Sequence, residues 1–245
     1  MKIVVINPNS SEAMTEDIRT SAGKYAAGEY EVEVYPTPGA PEFIDSYQDV
    51  AEAIPGMIEL IRKLEAEADA FVIACHGDPG IDILKEISSK PVVGIGEASM
   101  KVATMLGHKF SVLTTSRRSI AGKEAVITQY RLTDSMASVR APEHEDADAD
   151  EKSIYLEAGK AALEKDGAEV LVLGCAGLTG LDEALMEELK VPVMDGVKCA
   201  LMIASGLVKM HVGISRQGRY NLSVSLFFVK IRSRARNIFH VMGRL

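Results

Sequence analysis

Two cysteines stand at matching places in two similar stretches of the sequence. Cys75 is followed by His76 and Gly77, and Cys175 is followed by Ala176 and Gly177. Each cysteine comes directly after a short apolar run that is typical of a strand buried in a parallel sheet. Ligands bind at the carboxyl ends of such strands, and a glycine lets the backbone turn tightly there. The sequence therefore places both thiols where a ligand is expected.

Two thiols that face one cleft from opposite sides can invert a carbon centre. One thiolate removes a proton from one face of a small substrate, and the opposite thiol supplies a proton to the other face. A thiol with a pKa of about 8.5 serves as a base where its surroundings favour the thiolate, and we expect the N-terminus of the following helix to do so. We expect the backbone N–H groups around His76-Gly77 and Ala176-Gly177 to stabilise the enolate oxygen.

A buried structural role is the alternative for each cysteine. Free cysteines are among the most buried residues, and one at a strand end is commonly part of the core. Two cysteines at equivalent positions, each with a glycine two residues later, favour a shared function instead. Cys199 is the contrast, because it lies on the apolar face of a helical run and is predicted to be core.

Short β-branched runs alternate along the chain with amphipathic stretches rich in alanine, glutamate and leucine. The predicted strands are 2–6, 31–35, 70–74, 91–95, 110–114, 138–140, 169–174 and 191–194. The predicted helices lie near 11–27, 47–66, 79–88, 97–107, 117–130, 150–166, 180–190 and 197–208. This alternation predicts an α/β fold with parallel sheets.

The second half of the chain resembles the first. Residues 2–7 align with residues 109–114, and residues 70–77 align with residues 170–177. We therefore predict an internal duplication: two similar four-stranded parallel-sheet α/β domains related by a pseudo-two-fold axis, with the active site in the cleft between them. The predicted first domain is 1–98 plus roughly 197–215, the second is 99–196, and a basic C-terminal extension covers 216–245.

Charge and composition exclude several classes of protein. The net charge is −8, but residues 211–245 hold seven basic and no acidic residues, so the body of the chain is strongly acidic and a poor partner for nucleic acid. The apolar stretches reach about half of the roughly 20 residues that a membrane helix needs, and no secretory h-region opens the chain. Three cysteines do not form a disulfide framework. We expect a cytoplasmic protein without a membrane partner.

Four segments resemble the hydantoin racemase branch, which includes the allantoin racemases, of the aspartate/glutamate racemase superfamily. They are residues 7–11 (NPNSS), 74–80 (ACHGDPG), 91–98 (PVVGIGEA) and 173–177 (LGCAG). The resemblance runs from residue 1 to about Tyr220. It implies cofactor-independent racemisation of a 5-substituted hydantoin or of allantoin by Cys75 and Cys175, in a homo-oligomer.

The same resemblance implies which residues bind the substrate. Asn7 and Asn9 after the first strand, and Thr114 and Thr115 in the middle of the chain, are implied to line the pocket for a planar imide ring, whose donors and acceptors suit amides and hydroxyls. The residues that follow the two cysteines complete the predicted set: His76, Gly77, Ala176 and Gly177.

His76 departs from the family pattern, in which a phenylalanine usually follows the first cysteine. The histidine lowers the pKa of the thiol, binds a more polar substrate, or points away from the site, and the sequence leaves these alternatives open.

Other motifs point to chemistry less strongly. Residues 9–11 also suit a helix N-cap. Asp146, Asp148, Asp150 and Glu157 have the spacing of a calcium loop, but Glu151 stands where that loop needs glycine, so we expect residues 143–152 to form a solvated acidic loop. We find no zinc-type spacing and no nucleotide-binding motif, and we predict neither a metal nor a cofactor.

Two alternative functions remain. Related chemistry on the same scaffold includes racemisation of aspartate or glutamate and decarboxylation of arylmalonates. An amino-acid racemase needs a partner for the α-carboxylate, and the nearest cations are Arg117 and Arg118 after Thr115. A non-catalytic sensor of thiols or small ligands is the second alternative.

Overall fold

The computed structural model describes residues 1–143 and 150–221, and its strands and helices lie within three residues of their predicted limits. The strands are β1 (Lys2–Asn7), β2 (Glu31–Pro36), β3 (Ala70–Ile73), β4 (Val92–Gly94), β5 (Phe110–Leu113), β6 (Met136–Arg140), β7 (Val170–Leu173) and β8 (Val193–Met194). The helices are α1 (Glu12–Ala26), α2 (Tyr47–Leu64), α3 (Ile81–Ile87), α4 (Ile95–Leu106), α5 (Ile120–Gln129), α6 (Glu151–Asp166), α7 (Asp182–Leu189) and α8 (Gly196–Lys209).

The strands form two four-stranded sheets with the same topology. The strand order is β2-β1-β3-β4 in the first sheet and β6-β5-β7-β8 in the second. Every neighbouring pair is parallel. The first strand of each half thus lies second in its sheet, beside the strand that leads to a cysteine. This confirms the predicted fold class of two similar four-stranded parallel-sheet domains.

Helices cover both faces of each sheet, which explains why the strands are apolar throughout. In β1, Ile3 and Val5 belong to the core beneath α1 and α8, whereas Val4 and Ile6 belong to the core beneath α2 and α3. Successive side chains of a strand point to opposite faces, so a strand between two helix layers needs no polar position. The second sheet is covered in the same way, by α6 and α7 on one face and by α4 and α5 on the other.

Helix α4 links the two cores. Ile95 and Ala98 at its start pack in the first core, and Met100 and Ala103 further along pack in the second. The domain limits themselves stay a prediction.

The described start of the basic extension contacts the first half of the chain. The Arg216 guanidinium donates hydrogen bonds to the carbonyl oxygens of Glu86, at 2.9 Å, and of Ser88 near the end of α3. The Tyr220 hydroxyl donates to Asp82 at 2.6 Å. The rest of the predicted extension, residues 222–245, lies outside the described residues. Over the described part of the chain, none of the helices combines the length and apolarity required to span a membrane.

Candidate active site

The two cysteines occupy equivalent places beyond β3 and β7. Each lies two residues after the last residue of its strand, and each cysteine is a partly exposed residue. The pattern of burial is the same from residue 74 to 78 as from residue 174 to 178: buried, partly exposed, buried, exposed, buried. Equivalent strands therefore present the two thiols in the same way, one from each half of the molecule.

Both thiols line one cavity of about 660 Å³ between the two halves. From the first half, Asn9 and His76 line it together with Cys75. From the second half, Thr115, Ala176 and Gly177 line it together with Cys175. Seven of the ten predicted site residues thus surround one space, and that space is large enough for a small cyclic substrate.

Asn7, Gly77 and Thr114 do not line this cavity. The Asn7 side chain is buried behind Asn9 and donates hydrogen bonds to the side-chain oxygen of Asn9 at 2.7 Å and to the Thr15 hydroxyl at 3.0 Å. The Thr114 hydroxyl is buried against the Ser119 hydroxyl at 2.7 Å. Because Asn9 and Ser119 do line the cavity, Asn7 and Thr114 support the wall from behind.

Asn9 both lines the cavity and organises the loop before α1. Its side-chain oxygen accepts the backbone N–H of Ser11 at 3.0 Å, and its amide nitrogen donates to the sulfur of Met14 at 3.2 Å. Ser11 itself caps the helix by accepting the N–H of Met14 at 3.3 Å. In this segment Ser11 is therefore the helix cap, and Asn9 is the residue that lines the cavity.

A glycine N–H approaches each thiol. The Gly177 N–H donates to the sulfur of Cys175 at 3.4 Å, and the Gly77 N–H makes a hydrogen bond with Cys75 that favours its thiolate. We expected these N–H groups to serve an enolate oxygen. In the structure the two glycine N–H groups contact the sulfur atoms, and the role of the N–H groups toward an enolate oxygen stays a prediction.

The two cysteines differ in the helix that follows them: Cys175 caps the short 3-10 helix Ala176–Leu178, whereas no helix follows Cys75 directly. Helix α3 begins only at Ile81, behind Gly80, whose φ of 66° turns the chain into the helix. Burial raises the pKa of the Cys75 thiol, although the positive charge of Lys123 and the Gly77 N–H lower it, and the nearby Cys175 raises it further. The positive charge that partly offsets burial at Cys75 thus comes from a lysine of the second half of the chain.

Lys123 is a site residue that the sequence did not reveal. It projects from α5 into the cavity wall, and no carboxylate lies within ion-pair distance of it among the residues that the structure describes. Arg118, from the same segment, instead pairs with Asp45 of the first half at 3.2 Å.

Glu151, at the start of α6, also lines the cavity, and burial together with Asp150 and Asp17 raises its pKa. Asp146 and Asp148 of the proposed calcium spacing lie outside the described residues.

His76 lines the cavity beside Cys75 and is 1% exposed. Neither ring nitrogen has a hydrogen-bond partner within the described ranges of the chain. Burial and the positive charge of Lys123 hold the pKa of His76 well below its usual range, so the imidazole is neutral. The three alternatives for this residue stay open.

Buried carboxylates hold the loop that follows each cysteine. Asp78 accepts the backbone N–H groups of Gly96 at 3.0 Å and Glu97 at 2.7 Å at the start of α4. In the second half, Asp195 before α8 accepts the Thr179 hydroxyl at 2.6 Å and the Gly180 N–H at 3.0 Å. Each cysteine loop is therefore fixed to the N-terminus of a helix by carboxylate hydrogen bonds, which are stronger than neutral ones.

The chain has a duplicated α/β fold, and two cysteines at equivalent strand ends line one cavity, an arrangement suited to acid/base chemistry. Comparison with known proteins agrees: residues 3–204 match the model of the Asp/Glu/Hydantoin racemase family. The chain belongs to this family and is an isomerase of the racemase class.

Individual relatives cover most of the chain. The hydantoin racemase of Pseudomonas sp. (strain NS671) is 38% identical over 227 residues, which are 90% of this chain and 91% of the relative. The allantoin racemase structure from Klebsiella pneumoniae has a TM-score of 0.85 at 35% identity and covers 90% of this chain and 92% of its own. That of Pseudomonas fluorescens has a TM-score of 0.84 at 31% identity, with 90% and 96% covered. The chain is thus similar, over about 90% of its length, to hydantoin and allantoin racemases.

Proposed function

We propose that this enzyme racemises 5-substituted hydantoins, allantoin among them, with Cys75 and Cys175 as its two acid/base groups. The single observation that carries the proposal is the pair of partly exposed thiols at equivalent strand ends, both lining one cavity. The similarity to hydantoin racemases at 38% identity and to allantoin racemases at TM-scores up to 0.85 supports the substrate class.

The reaction follows from one thiolate and one thiol. The thiolate takes the proton from the ring carbon that carries the substituent, and the electron pair of the broken C–H bond moves into the adjacent carbonyl to form a planar enolate. The opposite thiol then gives its proton to the other face of that carbon, so the product has inverted configuration and the two sulfur atoms have exchanged protonation states. The reverse reaction restores them. Each cysteine thus acts as base for one enantiomer and as acid for the other.

The electrostatics of the pair suit this cycle. The charges of Cys75 and Cys175 are coupled, since Cys175 raises the pKa of Cys75. Two like charges in one site disfavour double ionisation, so ionisation of one thiol leaves the other protonated, as the cycle requires. Lys123 lowers the pKa of Cys75 and stabilises the single negative charge.

The polar wall suits an imide ring. Asn9, Thr115, Ser116 and Ser119 bring amide and hydroxyl groups to the cavity. A hydantoin ring carries N–H donors and carbonyl acceptors that match such groups. We propose Asn9, His76, Thr115, Ala176 and Gly177 as contacts of the substrate, with Asn7, Gly77 and Thr114 in supporting positions.

An α-amino acid is the second candidate substrate. Lys123 lines the cavity without an ion-pair partner in the described parts of the chain, and a free cation of this kind is what the α-carboxylate of aspartate or glutamate requires. The wall nevertheless carries mostly neutral hydrogen-bonding groups, namely Asn9 and the hydroxyl groups. Such groups suit a neutral ring better than a zwitterion.

The test is racemisation of pure enantiomers, followed by polarimetry or circular dichroism after subtraction of the spontaneous rate. Allantoin, 5-alkylhydantoins, aspartate and glutamate are compared with the same enzyme preparation. We expect turnover of the hydantoin group and none of the amino acids. Turnover of aspartate or glutamate alone contradicts the proposal and favours the second candidate. No turnover of any of them, together with oxidative crosslinking of Cys75 to Cys175, favours the thiol-sensor alternative.

The oligomeric state and the cellular location stay predictions. We propose a cytoplasmic homo-oligomer on the basis of the resemblance to the family, and size-exclusion chromatography with light scattering measures the first of these properties.

A further inference from the structure

Lys123 is a cation in the cavity wall whose charge neither acid of that wall neutralises. Of the two acidic side chains in the described wall, Asp45 pairs with Arg118 at 3.2 Å. The other, Glu151, has a pKa that burial and two neighbouring carboxylates raise, whereas a lysine beside it would lower that pKa. The positive charge of Lys123 is therefore available to something else in the cavity.

The charge of Lys123 acts on the end of β3 in the other half of the molecule. It lowers the pKa of Cys75 and that of His76, which are consecutive residues and line the same cavity. Within the described ranges, the buried side-chain atoms without a hydrogen-bond partner belong to Tyr30 and His76, so the equally unpartnered ammonium of the half-buried Lys123 is accessible. An accessible cation thus lies near the thiol that is proposed as a base.

Proton removal from the substrate gives the negative charge a second location. As the C–H bond breaks, its electron pair enters the adjacent carbonyl, and the charge passes from the thiolate sulfur to the enolate oxygen. Donors aimed at such an oxygen usually supply the largest single gain in rate. The N–H groups of Gly77 and Gly177 contact the sulfur atoms in the structure. The Lys123 ammonium has three donors, and no acceptor holds them in the part of the chain that the structure describes.

We propose that Lys123 is a catalytic residue whose ammonium donates a hydrogen bond to the enolate oxygen of the substrate. The inference rests on the proposed function. The ammonium keeps its own proton, since Cys75 and Cys175 carry out both proton transfers at the reactive carbon. Its attraction grows as negative charge develops on the oxygen, and an interaction that is stronger in the transition state than in the bound substrate lowers the barrier.

An effect of Lys123 on the thiolate alone predicts a different change in rate. Without the lysine, fewer Cys75 thiols are ionised at a given pH, but each thiolate is a stronger base. The corrected rate, defined as kcat/KM divided by the fraction of Cys75 that is thiolate, then stays equal or rises. Loss of a donor to the enolate oxygen instead lowers this corrected rate by roughly hundred- to thousandfold.

The experiment compares the wild-type enzyme with Lys123→Met, Lys123→Gln and Lys123→Arg. Racemisation of pure enantiomers of allantoin and of a 5-alkylhydantoin gives kcat/KM at a series of pH values, after subtraction of the spontaneous rate. The pH dependence of alkylation by iodoacetamide, followed by mass spectrometry on the peptide that contains Cys75, gives the thiolate fraction.

The three substitutions are expected to give a graded result. We expect the corrected rate to fall by roughly hundred- to thousandfold in Lys123→Met, and by less in Lys123→Gln, which keeps a neutral donor. In Lys123→Arg, which keeps the charge in a different shape, we expect a loss of less than about tenfold. Lys160→Met is the control and should leave the corrected rate unchanged, because Lys160 is an exposed lysine outside the cavity lining.

The outcomes distinguish this inference from the function on which it rests. An unchanged or higher corrected rate in Lys123→Met overturns the inference, because the lysine then acts only on the thiolate, and the proposed function survives. Equal losses in Lys123→Met and Lys123→Arg also overturn it. If the thermal unfolding midpoint shows that Lys123→Met folds poorly, Lys123→Gln against Lys123→Arg carries the test. No turnover of either substrate by the wild-type enzyme overturns the proposed function and the inference together.

Discussion

The hydroxyl of Tyr130 donates a 2.7 Å hydrogen bond to the carboxylate of Asp78. Tyr130 follows α5 in the second half of the chain, and Asp78 lies three residues after Cys75 in the first. Asp78 adopts a φ of 44°, a strained conformation for a residue with a side chain. The bond therefore fixes the loop that carries one thiol to the domain that carries the other, and this contact maintains the distance across the cavity.

Removal of this bond by Tyr130→Phe is expected to lower the free energy of unfolding by about 1–3 kcal/mol at neutral pH, because a buried carboxylate loses a donor. Burial raises the pKa of Asp78 to about 6, and the Tyr130 hydroxyl lowers it, so the variant raises that pKa further. A carboxyl whose pKa is higher in the folded protein is destabilising once ionised. The contribution of Asp78 to stability in the wild type thus declines as pH rises from about 4 through about 6, and in the variant this decline extends to higher pH.

Urea unfolding at a series of pH values measures this difference. We expect the difference in free energy of unfolding between wild type and Tyr130→Phe to be small near the acid end of that pH window and to widen above it. The control is Tyr47→Phe, since Tyr47 is 89% exposed, and it should change stability by less than about 0.5 kcal/mol. A gap that stays constant with pH contradicts the assigned role of the Asp78 carboxylate.

Lys123→Met is expected to raise the pKa of Cys75, because the lysine charge favours the thiolate. Alkylation of Cys75 by iodoacetamide should then be slower at neutral pH, with its midpoint at higher pH, and the rising limb of kcat/KM against pH should move in the same direction. Lys160→Met is the matched control, since Lys160 is an exposed lysine of α6 outside the cavity lining. Identical alkylation profiles for the two variants contradict the electrostatic role of Lys123.

Gly96→Ala is expected to disturb the first cysteine loop. A Cβ at position 96 would overlap the carbonyl oxygen of His76 and lie 2.9 Å from a carboxylate oxygen of Asp78. We expect the free energy of unfolding to fall by about 1–3 kcal/mol and kcat/KM to fall by at least about tenfold, because small displacements of catalytic groups are costly. In contrast, the Cβ that Gly23→Ala adds in α1 would meet nothing within 4 Å. This variant should stabilise the protein by about 0.5–1 kcal/mol without loss of activity. Equal behaviour of the two variants contradicts the close packing at Gly96.

The fold and the two thiols were predictable from the sequence because the signals are local and repeated. Strands β3 and β7 are short apolar runs of the same length, each is followed by a cysteine and a later glycine, and the two-fold repetition distinguishes them from ordinary core strands. The burial of Cys199 in the first core was predicted in the same way, from its place on an apolar helix face, and is confirmed.

The rest of the site depends on tertiary packing. Lys123 and Glu151 reach the cavity only because α5 and α6 lie against the second sheet at particular angles, and nothing in their own segments marks them. Asn7 was predicted to face the substrate, but its amide is used to hold Asn9. The sequence also did not show how many turns the chain makes after Cys75 before α3 begins at Ile81.

The central claim is that Cys75 and Cys175 act on opposite faces of one carbon. Its most direct test is exchange of the ring proton for deuterium, followed by NMR for each pure enantiomer of a 5-substituted hydantoin, in Cys75→Ser and in Cys175→Ser, with Cys199→Ala as the control that keeps activity. We expect both single serine variants to lose racemisation, while each retains exchange of one enantiomer only and the two variants retain opposite ones. Normal racemisation in either variant, or exchange of the same enantiomer by both, contradicts the two-cysteine mechanism.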